Sequence, residues 1–141
     1  LNVRLDVSTN MATIFTKIVN REIPCHLIAE DDRFMAFLDV MPLVEGHVLV
    51  IPKQEVDYIF DLEPELLGDL MKFAQKLAPA IKKAIPCKRV GVAVIGLEVP
   101  HAHVHLVPMN RMLDINFSQE KLKPSQESLA ATAEKIRSYL L

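Results

Sequence analysis

The 141-residue chain has no tryptophan, only four glycines and only two cysteines. Cys25 and Cys87 are far apart and belong to no CxxC pair, which argues against a zinc ribbon or a thioredoxin-type centre and points to two reduced thiols in a cytoplasmic protein. No uninterrupted apolar run approaches the roughly 18 residues of a membrane-spanning helix, and the N-terminal stretch lacks a hydrophobic signal core. A membrane or an export route is therefore not expected. Nor is there an excess of charge of one sign: 16 lysines and arginines against 18 aspartates and glutamates leave −2. Such a chain has no broad positive field for sequence-independent nucleic-acid binding, though a local anion pocket stays open.

What is present is an ordinary globular balance, half hydrophobic and 24% charged, over a length typical of one domain. Residues 1–10 precede Met11 and read as an extension outside the fold. Residues 11–112 read as the domain, and 113–141 as a tail whose helix packs on it. Ile14, Phe15, Ile18 and Val19 recur at helical spacing, and Pro24 is expected to end that helix. His26–Ala29 and Phe34–Leu38 flank Asp31-Asp32, the pattern of a hairpin turned by aspartates. After the loop of Pro42 and Gly46, His47–Pro52 reads as a buried strand. Leu66, Leu67, Leu70, Met71, Ala74, Leu77, Ala78 and Ile81 repeat at the spacing of a long amphipathic helix with Pro64 in its first turn. Pro79 predicts a kink or a break in it, because an interior proline removes a backbone bond. Lys88–Gly96 and His101–Pro108 supply two more strands. A last helix is expected from Ser125 to Leu140, with Leu129, Ala133, Ile136 and Leu140 on one stripe. The class is α+β, about five strands with one long helix and a short N-terminal helix.

Four of the five histidines fall in two places: His47 alone, and His101, His103 and His105 together. Alternation along a strand puts 101, 103 and 105 on one face, with Ala102, Val104 and Leu106 on the other. Three readings follow. The plainest is a half-exposed strand with polar residues on its outer face. A second is a metal site using His101, His103 and His47, although a strand separates the Cα atoms of His101 and His105 by about 13 Å. A third is nucleophilic and acid–base catalysis, in which one neutral imidazole attacks phosphorus while its neighbours hold its tautomer and handle the leaving group's proton. An ordinary histidine titrates near 6.5, so neutral rings are available at neutral pH.

The segment His101-Ala-His103-Val-His105-Leu-Val107 resembles the His-φ-His-φ-His-φ-φ signature, φ being apolar, of the histidine triad family. The resemblance continues through Ile14–Val19, Glu22–Pro24, Glu30–Asp32, Ala36–Asp39 and Pro42 to Lys53, with Gly46-His47-Val-Leu-Val-Ile-Pro52-Lys53 its most specific part. It covers roughly residues 13–110 and points to the family's small branch. The resemblance implies a five-stranded antiparallel sheet, a homodimer with one ten-stranded sheet across two subunits, and hydrolysis at the α-phosphorus of a nucleoside phosphoramidate or related adenylylated compound. By the same resemblance His103 is the nucleophile and forms a nucleotidyl-histidine intermediate, His105 lies by the phosphate and leaving group, and His101 and His47 orient their surroundings. Asp39 is expected on the ribose hydroxyls, Phe15, Ile18 and Phe37 around the base, and Leu38, Glu98 and Val99 elsewhere along the nucleotide. The partner implied is a purine nucleotide or nucleoside phosphoramidate; no cofactor, nucleic acid or membrane is implied.

Two departures stand out. Many members carry Ala-Gly-Gln-Ser/Thr-Val before the triad and an asparagine upstream, where this chain reads Val94-Ile-Gly-Leu97-Glu98-Val99-Pro100. A carboxylate near a phosphate repels it, so either backbone amides take over the missing polar contacts or the substrate is unusual. That segment also keeps open a slow nucleotide-binding regulator in place of an enzyme. Some members hold a structural zinc through paired cysteines near the N-terminus; Thr16 occupies one such position here, and no such zinc, nor any other metal, is expected.

Overall fold

The computed structural model describes residues 12–140. The stretch 1–10, expected to be an extension, lies outside the described residues. Five strands, β1 (Leu27–Glu30), β2 (Phe34–Leu38), β3 (Val48–Pro52), β4 (Arg89–Ala93) and β5 (Val104–Met109), form one antiparallel sheet in the order β1-β2-β3-β5-β4. The helices are α1 (Ile14–Val19), α2 (Pro64–Ala84) and α3 (Gln126–Ser138). The α+β class and the antiparallel sheet expected from the chain are the ones it adopts.

Local chemistry explains most of the boundaries. Asp31 turns the β1–β2 hairpin by accepting from the amides of Arg33 and Phe34, both at 2.8 Å, the aspartate role anticipated above. Thr13 caps α1 by accepting from the Thr16 amide at 3.0 Å, and Ser125 caps α3 in the same way from Ser128.

Three expectations need correction. Pro24 does not stop α1; the helix closes earlier in a Schellman arrangement, with Arg21 left-handed at φ 62° and the amides of Arg21 and Glu22 returning to the carbonyls of Ile18 and Lys17. Nor does Pro79 break α2, which runs unbroken through it. Pro79 lies on the exposed face, so the bond it removes is lost where water can serve the freed carbonyl. The third concerns the triad: β5 starts only at Val104, so His101 and His103 lie in the segment leading into the strand, and only His105 is within it.

The central strands β2 and β3 are buried on both faces. Phe34, Ala36 and Leu38 of β2 join Leu70, Ala74, Leu77 and Ile81 of α2 and Leu129, Ala133 and Ile136 of α3 in the larger core. Met35 and Phe37 face the other way, into a smaller cluster with Leu49, Ile51, Phe15 and Ile18. Each buried leucine, isoleucine or phenylalanine contributes about 1.5–3 kcal/mol of transfer free energy. The N-terminal helix is thereby held on the sheet face opposite α2, and that is the face on which the histidines gather.

Candidate active site

The sheet register brings His47 and His105 together. Leu49 lies opposite His105, and His47 precedes Leu49 by one alternation, so the two histidines are diagonal neighbours on one face. Gly46 delivers the chain to that point. Its φ is +88°, and a Cβ there would meet Ile85 Cγ1 at 2.6 Å, so both backbone and space require glycine. His101 and His103 arrive from the loop before β5, where the amide of Ala102 donates to the Val56 carbonyl at 2.7 Å. Phe15 of α1 stands edge-on to both rings, with centroids 5.8 Å from His101 and 5.1 Å from His103, and the rings of His103 and His105 are 4.9 Å apart.

Hydrogen-bond partners assign the tautomers. The amide of Leu43 donates to Nδ1 of His47 at 3.1 Å, which leaves the His47 proton on Nε2. That nitrogen is 2.9 Å from Nδ1 of His105; His47 donates, and the proton of His105 is placed on its Nε2. His103 Nδ1 donates to the carbonyl of His101 at 2.6 Å, which frees the lone pair on its Nε2. His101 Nε2 donates to the Pro52 carbonyl at 2.8 Å, and its Nδ1 accepts from the Thr13 hydroxyl at 2.9 Å. Burial favours the neutral form of His47, His105 and His101. It pushes the pKa of His47 down to about 3 and that of His105 to about 4, aided by the neighbouring histidines and Lys121, and it also lowers that of His101.

Asp39 follows β2 directly. One carboxylate oxygen accepts from the Met41 amide at 2.9 Å, and the other lies 3.8 Å from His47 Nε2. Burial raises its pKa, opposed by the Met41 bond and by Lys121. Phe15 and Ile18 are nearly fully buried among Phe37, Leu49 and Ile51, with Val99 packed beside them. Phe15 touches two histidine rings, whereas Ile18 is primarily core. Strand alternation turns the Leu38 side chain into the α2-facing core, where it borders a cavity of about 160 Å³ with Asp39 and His47. Glu98 is exposed, and its charge acts on Asp39.

A groove of about 520 Å³ opens beside His103, lined by Tyr58, Phe60, Met71, Val94, Ile95 and Ala102 among others. On the opposite side a segment that the sequence reading left unassigned reaches the site. The ring of Phe117 is 4.7 Å from that of His105 and 6.1 Å from that of His47. Lys121 donates from Nζ to the Phe117 carbonyl at 2.9 Å. Thr13, Thr16 and Glu55 were missed as well: Glu55 accepts from the Thr13 amide at 2.8 Å and the Thr16 hydroxyl at 2.6 Å, which ties α1 to the chain after β3. Glu55 sits close behind the recognised Pro52-Lys53 end of its motif. Phe117 and Lys121, in contrast, lie in a tail with no periodic signal.

The donor chemistry bears on metals. Thr13, Thr16 and Glu55 surround His101 with hydroxyls and a carboxylate, not with the thiolates of a structural zinc site. The triple His101, His103 and His47 does not converge on one point, since His101 is committed to Thr13 and Pro52. Asp39, His47 and His105 do bring one ligand atom each within 4.8 Å of one another; a cation there would have to displace the His47–His105 hydrogen bond.

Comparison with known proteins adds to this geometry. A family model described as the HIT domain matches residues 20–112. The chain is similar to the adenosine 5'-monophosphoramidase of Schizosaccharomyces pombe, 32% identical over 136 residues, 92% of this chain and 99% of that protein. It is 39% identical to the adenosine 5'-monophosphoramidase of Saccharomyces cerevisiae over 98 residues, 69% of this chain and 62% of that one. Among solved structures, a Hit-like protein from Bartonella henselae superposes with a TM-score of 0.79 at 34% identity, covering 92% of this chain and 96% of the other.

Proposed function

The chain belongs to the histidine triad (HIT) family, and from that premise we propose that it is a nucleotide hydrolase that cleaves nucleoside phosphoramidates or related adenylylated compounds at the α-phosphorus. The observation that carries this is the 2.6 Å bond from His103 Nδ1 to the His101 carbonyl, which presents the free Nε2 lone pair beside the open groove. His103 Nε2 attacks phosphorus, a P–N(His) bond forms, and the substrate's bond from phosphorus to the amine breaks. The departing amine takes a proton from solvent. His105, neutral at pH 7, donates a hydrogen bond from Nε2 to the charge developing there rather than acting as an ionised acid. Water then attacks the nucleotidyl-histidine, loses a proton, and the nucleoside monophosphate leaves with the lone pair restored to His103. One water is consumed overall. His101 and His47 hold the tautomers of their neighbours, and Asp39 binds the ribose hydroxyls.

The purine reading is supported by the two yeast relatives named as adenosine 5'-monophosphoramidases. We also assign a homodimer. Edge strand β4 exposes Val92, and Val94 just after it together with Tyr58, Phe60 and Leu97 continues the apolar surface, a face suited to a second copy. Among the described residues no helix is long and apolar enough to cross a membrane, and both cysteines are free. A regulator with slow turnover is the second reading, favoured by Leu97, which is 87% exposed, and Glu98 in place of neutral polar groups.

The test incubates the protein and His103→Ala with an adenosine phosphoramidate and with diadenosine polyphosphates, following AMP release and trapping any histidine adduct. Release that falls by roughly a thousandfold or more in the variant supports the nucleophile. AMP binding without release above the variant's level moves the protein to the regulator class.

A further inference from the structure

The proposed nucleotide site has a gap. An anionic phosphate has to be met by donors, and the segment before the triad offers an exposed Leu97 and a carboxylate, Glu98. The tail supplies what that segment lacks. After the turn that closes with Asn116, the Phe117 ring packs edge-on against His105, and the amide of Leu122 donates to the Pro42 carbonyl at 2.9 Å. These two anchors fasten the chain on either side of Lys121 beside the site. The Lys121 ammonium lies 5.9 Å from the centre of the Phe117 ring and spends one of its three donors on the Phe117 carbonyl. Lys121 makes no ion pair among the described residues. Its charge nevertheless acts on Asp39, His47 and His105. Through the Phe117 ring, which packs on His105, the cation borders the histidines assigned to the phosphate, and among the described residues two of its donors are unspent.

We propose that Lys121 is a substrate-binding residue that takes the anionic α-phosphate oxygens of the nucleotide, doing from the C-terminal tail what the segment at 97–98 does not. This rests on the nucleotide reading above but not on its chemistry, because product binding suffices to test it. The phosphate is what Lys121 recognises; the nucleoside is held elsewhere.

Calorimetric titration with AMP and, separately, with adenosine discriminates. Lys121→Met is expected to weaken AMP binding roughly tenfold or more, the size of a lost charge-assisted hydrogen bond, while adenosine affinity stays within about twofold. Lys121→Arg, which keeps the charge, should retain most of the AMP affinity, and Lys123→Met, an exposed neighbour, should match the wild type. A merely structural lysine would weaken both ligands alike. Equal losses for AMP and adenosine, or an unchanged AMP affinity in Lys121→Met, would overturn the assignment. Wild-type protein that binds neither ligand would bring down the nucleotide reading and this one together. Wild-type protein that binds AMP through Lys121 yet releases none from any substrate would leave this assignment standing and remove only the hydrolase.

Discussion

The amide of Leu43 donates to Nδ1 of His47 across 3.1 Å, and this one backbone bond decides where the protons sit on His47 and His105. A backbone amide can only donate, so His47 must keep its proton on Nε2, donate to His105 Nδ1, and leave the His105 proton facing the site.

That relay is directly measurable. Long-range ¹H–¹⁵N correlation of the histidine rings at pH 7 should find His47 and His105 protonated at Nε2 and His103 at Nδ1. A His47 ring protonated at Nδ1 would contradict the assignment and would put the wrong nitrogen of His105 toward the substrate.

Acid should destabilise the fold in a specific window. The folded pKa values of His47 and His105, about 3 and about 4, lie below the 6.5 of an unfolded histidine, so the unfolded chain takes up protons first as pH falls. Stability from these rings is complete above about 6.5 and drains away as pH drops toward 4 and 3, by up to about 1.4 kcal/mol per pH unit per ring and less where the two are coupled. Urea unfolding at pH 7 and pH 4.5 should give a loss of roughly 4–5 kcal/mol from the pair. In His47→Asn the loss should be smaller by about 2 kcal/mol. An identical loss in the variant would mean that His47 titrates like a free histidine.

The C-terminal helix should be indispensable. Ile136 is fully buried in the same core as Leu77 and Ile81, so Ile136→Ala is expected to cost about 2–5 kcal/mol in urea unfolding. The exposed neighbour Lys135→Ala should stay within about 0.5 kcal/mol. Comparable effects of the two would show that the tail is an appendage to the fold.

Much of the fold was legible because the signals were local. The period of Leu70, Ala74, Leu77 and Ile81 marks α2, Asp31 marks its hairpin, and Ser125 marks the start of α3. The errors were local as well, and of one kind. Pro24 and Pro79 were weighed by their intrinsic cost, but α1 had already turned at Arg21, and Pro79 faces water, where its missing bond is tolerated.

For the site, the alternation of the histidines by itself marked His101, His103 and His105 as one cluster, and the Gly46-His47 motif marked the fourth; strand periodicity sets the side only for His105, because His101 and His103 precede β5. What only the tertiary structure decided is which nitrogen of each ring carries a proton and which charge stands over them. Those depend on the Leu43 amide, the His101 and Pro52 carbonyls, and a tail that folds back to lay Phe117 and Lys121 across the site. Backbone groups leave no trace in residue identity, and contacts between distant segments are selected by packing of the whole core, so no local pattern could have announced them.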